Sequence, residues 1–382
     1  PIDHFITKMT PGGDVIWMRK IPAGTNGSNS RIAEIIEDSE GKIVFCTTQG
    51  ITPNARTVFA MRYDPVGDTL IWFKYFGATR PAAVGIVEKG PGGNFLVTSY
   101  AQVISTGRIY SQIFELGRNT GVTVPGAITS RYEGSSLVRF ERMVARQNSL
   151  YATGARQQNN GEPTRSILAK LSASTGNVEW VQATTPDSTS SAQPDVLHTD
   201  LEFDGDFALM VGSGLRDAAH PAQGIFAYLE KHAPDGSLLW LKRYEASIYP
   251  EDVLVLPNAY VIIGKMADNR WALLKTDKDG NPLIFKTLNT SSAPLSNTLL
   301  ANRQGLILDA GDRLFMADYG PMMDDSSAIW LLKTSHDLEL DAVCGLLQPA
   351  SVQATTMPAK SALVPLTRTP FTFGTADAGV IY

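Results

Sequence analysis

Charge and cysteine are what this chain has least of. Of 382 residues, 19% are charged and 43% hydrophobic, with 2 cysteines and 5 histidines. The 33 Lys and Arg are scattered singly and the net charge is -5, so no basic stripe forms and nucleic acid is not an expected partner. No apolar run approaches the roughly 18–20 residues that span a bilayer as a helix, so no membrane insertion is expected. The opening P-I-D-H-F-I-T-K lacks the pattern of a signal peptide. An initial Pro in place of Met leads to the expectation of a processed or excised segment, from which a targeting signal could have been lost upstream. Cys46 and Cys344 stand far apart in apolar, strand-like contexts, without a Cys or His at metal-ligand spacing. The expectation is two buried thiols, with a long-range disulfide as the alternative.

What the chain does have is turns and repetition, with 33 glycines and 22 prolines. The stretch A-Y-L-E-K-H-A-P-D-G-S-L-L-W-L-K at 227 has clear relatives at 5 (F-I-T-K-M-T-P-G-G-D-V-I-W-M-R-K), 59 and 167, and weaker ones at 113, 272 and 330. Each is an apolar alternating strand, a turn and a second alternating strand, the pattern of a β-hairpin. Trp17, Trp72, Trp180 and Trp240 recur at one place on the second strand, and Phe285 takes that place once. A ligand-stacking residue need not recur in every repeat, whereas a packing residue must, so these five are expected to pack neighbouring repeats together.

A second series lies between these hairpins. Turn residues Gly41, Gly93, Asn148, Gly205, Asn258 and Gly311 each open an apolar strand, at steps of 52 to 57 residues. Each turn follows another short apolar strand, such as I-A-E-I-I-E at 32 to 37 or D-V-L-V-L-P at 252 to 257. The unit is therefore about 54 residues holding two hairpins, and no segment shows an apolar stripe at helical spacing.

Four-stranded antiparallel units repeated at this length predict an all-β fold, a β-propeller. Seven hairpins of the first kind and six of the second favour seven blades, with six or eight as alternatives. Residues 1–340 form one propeller domain in this reading, and 341–382 are an extended β tail that either closes the ring or leads into a following β-module. If both tight turns of each unit lie on one face, the long connections emerge on the other: 21–31, 101–111, 155–166, 183–196, 213–224, 288–297 and 318–328. Any binding surface is expected on that variable face.

Candidate chemistry is sparse. T-D-K-D-G-N at 276–281 spaces Asp277, Asp279 and Asn281 like oxygen ligands, yet it lacks the glycine and distal glutamate of a calcium loop and occupies a hairpin turn. Asp324 and Asp325 are the remaining weak calcium candidates; otherwise no metal and no cofactor is expected. The five histidines share no place in the repeat. There is no G-x-S-x-G, phosphate loop or H-E-x-x-H, so no catalytic residue is assigned and the chain is not expected to be an enzyme.

S-A-S-T-G-N-V-E-W at 172–180 resembles a blade motif of quinoprotein dehydrogenases and of an outer-membrane assembly scaffold, whose units are shorter. A-L-L-K-T-D-K-D-G-N-P-L-I-F-K at 272–286, N-A-Y-V-I-I-G at 258–264 and W-L-L-K-T at 330 more closely resemble the seven-bladed propeller regions of large secreted surface proteins of gliding-type, type IX-secreting bacteria. That resemblance implies a non-catalytic extracellular binding or structural module of an adhesin-like or filament protein. Its implied partners are a protein or glycan at the variable face, or neighbouring modules of the same protein. The alternatives are an enzyme with its site at the ring axis, of lyase, glycosidase or quinoprotein type, and a periplasmic or outer-membrane scaffold.

Overall fold

The computed structural model describes residues 4–10, 14–21, 28–52, 55–77, 82–103, 105–134, 136–157, 164–186, 196–214, 225–266, 270–288, 307–308, 313–321, 327–339, 347–357, 359–370 and 374–377. Among them are thirty β-strands and no helix. The chain divides into two compact units, Pro1–Glu162 with Ile167–Ala183 and Leu363–Tyr382, and Pro163–Ser166 with Thr184–Ala362.

Strands β1 (His4–Met9) and β2 (Val15–Ile21) form a hairpin. Two antiparallel meanders follow: β3 (Ser28–Glu37), β4 (Ile43–Thr52), β5 (Ala55–Asp64) and β6 (Thr69–Gly77), then β7 (Ala82–Glu88), β8 (Phe95–Gln102), β9 (Ile109–Leu116) and β10 (Thr129–Glu133). The third comprises β11 (Leu137–Arg146), β12 (Ser149–Gln157), β13 (Arg165–Ser172) and β14 (Val178–Pro186). A parallel bridge from Leu137 to Ile109 joins it to the second.

The pattern continues with β15 (Val196–Asp204), β16 (Phe207–Gly214), β17 (Phe226–His232) and β18 (Leu238–Tyr244), then β19 (Ile248–Val255), β20 (Tyr260–Met266), β21 (Trp271–Thr276) and β22 (Pro282–Leu288). Strands β23 (Ile307–Leu308), β24 (Arg313–Pro321) and β25 (Ser327–Ser335) form a three-stranded sheet.

The tail makes five further strands: β26 (Leu347–Pro349), β27 (Ala354–Thr356), β28 (Ala359–Leu363), β29 (Thr367–Pro370) and β30 (Gly374–Asp377). They pair in reverse order with the last strands of the five meanders, β26 on β22, β27 on β18, β28 on β14, β29 on β10 and β30 on β6. Each meander so gains a fifth strand, and the row of open N–H and C=O groups on its edge is paired. Ring closure or an onward link is the expectation for this segment, and its described strands pair with meander edges. Arg368 reinforces it, donating from Nε to Ser130 Oγ and from Nη1 to Asn177 Oδ1, both at 2.6 Å.

Within each unit, apolar alternation buries sheet faces against one another. Val44, Cys46, Val58, Trp72 and Phe76 of the first meander meet Ile86, Phe95, Val97 and Phe114 of the second. Leu96, Ile113 and Tyr132 meet Phe140, Leu150 and Ile167. In the other unit, Leu209, Val211, Leu229 and Tyr244 meet Ile248, Ile262, Leu274 and Phe285. Each such side chain contributes about 1.5–3 kcal/mol on burial. Cys46 is buried in one of these layers, and Cys344 lies outside the described residues.

The hairpin read at 113 differs from its relatives. Its second strand begins at Thr129 and not within V-T-V-P-G, because Pro125 and Gly126 (φ +76°) break the run with an extra turn.

Candidate functional site

The first strand of each described meander carries a β-bulge at the same level: between Ile32 and Glu34, Ala83 and Gly85, Phe140 and Arg142, His198 and Asp200, and Pro250 and Asp252. A bulge pushes backbone toward the partner strand and leaves an N–H out of the ladder. Small residues answer the first effect. A Cβ on Gly264 would stand 2.3 Å from the Tyr249 carbonyl, and one on Gly154 1.9 Å from that of Arg139. This is the physical reason that V-I-I-G closes with glycine.

Polar side chains from the preceding meander answer the second. Glu34 Oε2 accepts from Ile86 N at 3.1 Å, Ser111 Oγ from Phe140 N at 2.7 Å, and Asp200 Oδ2 from Val253 N at 3.0 Å. Asp252 Oδ1 accepts from that same Val253 N at 2.9 Å. Glu34 also pairs with Arg142, and Gly85 gives it room, since a Cβ there would meet the Glu34 carboxylate at 2.5 Å. The bulge row thus holds carboxylates that already bind backbone.

Three ionic ties, buried to different degrees, lie elsewhere between consecutive sheets. Arg62 pairs with Asp38 at 2.8 Å and with Glu40 at 2.6 Å, while Arg118 reaches Glu40, Glu88 and Ser39. Burial pushes the Asp38 carboxyl up, but the N–H groups of Lys42 and Glu40 and the Arg62 guanidinium outweigh it and hold it below the usual range. Asp204 accepts from Tyr260 Oη at 2.7 Å and from Lys231 and Lys278, both at 2.9 Å. Burial opposes these partners there too, and they leave Asp204 at about 2.

The third tie is fully buried: Glu230 faces His198 Nε2 at 3.2 Å, His232 Nε2 at 3.0 Å and Ser166 Oγ at 3.2 Å. His232 Nδ1 faces the Gly236 carbonyl at 2.9 Å, so Nδ1 must donate and a further proton lies between Nε2 and Glu230. Burial raises the Glu230 carboxyl, and His198 and His232 more than reverse this, holding it well below the carboxylate range.

The aromatic positions divide. Trp72 and Phe285 are buried, whereas Trp17, Trp180 and Trp240 are half-buried. Trp72 donates from Nε1 to the Arg118 carbonyl at 2.7 Å, in the turn of the next hairpin, and abuts Gly121. Trp240 borders Gly280 in the same way, Trp17 meets Tyr63 edge-on, and Trp180 meets Tyr151. Sequence reasoning missed that Tyr132 and Tyr244 share this work, through hydroxyl bonds to the carbonyls of Gly176 and Gly280. Asp277 Oδ1 accepts from Asp279 N and Asn281 N, which is a turn residue's role. Asp324 and Asp325 lie outside the described residues.

One concavity opens where the β8–β9 and β10–β11 connections meet, a cleft of about 210 Å³. Val103, Ile109 and Tyr110 give it apolar surface, and Thr106, Arg108 and Glu133 give it polar groups. Arg131, also in the wall, pairs with Glu133, and its guanidinium lies 4.5 Å from the centroid of Tyr110. Arg108 is exposed, and among the described residues its side chain has no partner.

No protein-family model matches the chain, and no curated protein matches it. Among solved structures it is similar to a mutant of an alpha-L-arabinofuranosidase from Fusarium graminearum bound to an iminosugar inhibitor. The identity is 12%, the TM-score 0.49, and the match covers 81% of this chain and 93% of that one. It is also similar to the AtxE2 isopeptidase in its apo form, at 12% identity and TM-score 0.29, over 84% of this chain and 52% of the isopeptidase. Both scores lie below 0.5, and neither likeness bears on activity.

Proposed function

We propose that the meanders are blades of a seven-bladed β-propeller, and that the chain is a non-catalytic extracellular module of a larger bacterial surface protein. It binds a protein or glycan through the connections opposite its tight turns. The observation that carries this reading is how the ionic groups are used. Arg62, Arg118, Asp38, Asp204 and Glu230 tie sheet to sheet, while Arg108, whose side chain has no partner among the described residues, stands exposed in a cleft at the connections. Groups spent on structure are poor acid–base catalysts, and an open cation beside apolar surface is a recognition element. Seven successive strand groups, from β1–β2 to β23–β25, support the blade count, and the L-L-K-T-D-K-D-G-N resemblance supports a secreted surface protein.

The alternative, an enzyme with its site along the bulge row, draws on Asp200 and Asp252, two carboxylates converging on one N–H. The test compares binding with turnover. The purified chain is applied to glycan and surface-protein arrays and to a panel of chromogenic glycosides. Saturable binding that falls when residues 103–108 are replaced, with no turnover, is expected. Turnover that disappears in Asp200→Asn or Asp252→Asn overturns the binding reading in favour of the enzyme.

A further inference from the structure

We propose that the cleft at Arg108 recognises an acidic sugar, a hexuronate residue of a polysaccharide; this rests on the binding-module reading above. Size comes first. At about 210 Å³ the cleft is smaller than the roughly 300–1,000 Å³ typical of drug-sized ligands, and suits one or two sugar rings.

Charge comes second. Arg131 is offset by Glu133 and held against Tyr110, so the charge left unmatched in the cleft is that of Arg108. One planar guanidinium fork matches one planar carboxylate with two parallel N–H···O bonds. A doubly charged phosphate carries more charge than the one cation that Arg108 leaves unmatched among the described residues, whereas a single carboxylate equals it.

Hydroxyl recognition comes third. Glu133 accepts only, so it calls for O–H donors, and the Thr106 hydroxyl both donates and accepts. Val103 and Ile109 offer apolar surface to the C–H face of a pyranose ring. A ligand with one carboxylate, several hydroxyls and a weakly apolar ring face is a sugar acid. The site is firmly built, because Ile109 is fixed by the bridge to Leu137 and by an N–H bond to the Ser136 carbonyl at 3.1 Å. The 103–108 turn closes on itself through Val103 N to the Arg108 carbonyl and Gly107 N to the Val103 carbonyl, both at 2.8 Å.

The experiment titrates the whole chain with digalacturonate, its methyl ester and neutral galactobiose, following binding by calorimetry and amide shifts by NMR. Digalacturonate is expected to shift residues 103–110 and 131–134, and esterification to weaken it at least about tenfold, as loss of a charge-assisted pair does. Arg108→Gln, an exposed substitution that leaves the fold intact, is expected to give the same loss, with Arg108→Lys intermediate. Equal binding of the neutral sugar, unchanged affinity in Arg108→Gln, or no binding of any of the three overturns the acidic-sugar inference. Preference for a sulfated disaccharide overturns the choice of carboxylate. None of these touches the binding-module reading, which fails separately if the chain hydrolyses the saccharide.

Discussion

Tyr244 donates its hydroxyl hydrogen to the carbonyl oxygen of Gly280 at 2.9 Å, and Gly280 itself sits at φ +78°. The last strand of one meander thereby holds the turn of the next. Tyr132 does the same for Gly176 at 2.7 Å, where φ is +70°. Tyr244→Phe leaves a buried carbonyl unpaired and is expected to cost about 1–3 kcal/mol. Gly280→Ala is expected to cost at least as much, because its Cβ would stand 2.8 Å from Lys242 Cγ at a φ that L-residues disfavour. Denaturant melts measure both, and a loss below about 0.5 kcal/mol in both would remove the turn-holding role.

Arg62 and Asp38 are a buried pair, with side chains 2% and 0% exposed. Arg62→Ala leaves the buried Asp38 carboxylate with Arg118 at 3.3 Å as its remaining cation and is expected to cost up to about 3–5 kcal/mol. The double change Arg62→Met with Asp38→Asn is expected to cost less than the single one, because no charge is left uncompensated. A double variant less stable than Arg62→Ala would show that the pair contributes net stability of its own.

Acid is expected to weaken the unit that contains Asp204 and Glu230. Both carboxyls titrate lower in the folded chain than when unfolded, Asp204 at about 2. A depressed folded value means stabilisation that is present above the unfolded value of about 4 and lost as pH falls through the folded one. Asp204 is part-exposed, so after solvent screening its share is of order 1 kcal/mol. Unfolding measured from pH 7 to pH 2 should show Asp204→Asn less stable than the parent at pH 7, with the gap closing toward pH 2. A gap that stays constant with pH would mean that charge at Asp204 is not the cause.

The tail strands are short, yet they cover five edges. Arg368→Ala removes the bonds to Ser130 and Asn177 and is expected to speed hydrogen exchange in 359–377 with little change in global melting. Deleting the residues after 346 is expected to cause concentration-dependent association, seen by light scattering, because the outer edges of β6, β10, β14, β18 and β22 are left open. A monodisperse deletion variant would show that those edges need no cover.

How legible the molecule is in its sequence varies with the range of the interaction. The alternation around P-D-G and the Trp position mark β17–β18 and its relatives well, since period and turn chemistry are local. Asp277 reads correctly as a turn residue for the same reason. The Arg108 cleft is not legible: its residues come from two connections that meet only once Leu137 bridges Ile109. The bulges are not legible either, although the glycine closing V-I-I-G was a trace of one, explained by a carbonyl on another strand.

By itself the sequence determined an all-β chain of repeated hairpins, where the turns fall and which residues are apolar, because these depend on neighbours a few positions apart. Tertiary structure alone decided that the tail runs back along five outer edges, that Asp204 and Glu230 are spent on ties, and that Arg108 stands in a cleft without a side-chain partner among the described residues. Those outcomes depend on which charges and edges come within reach after the sheets stack, and spacing along the chain carries no record of that.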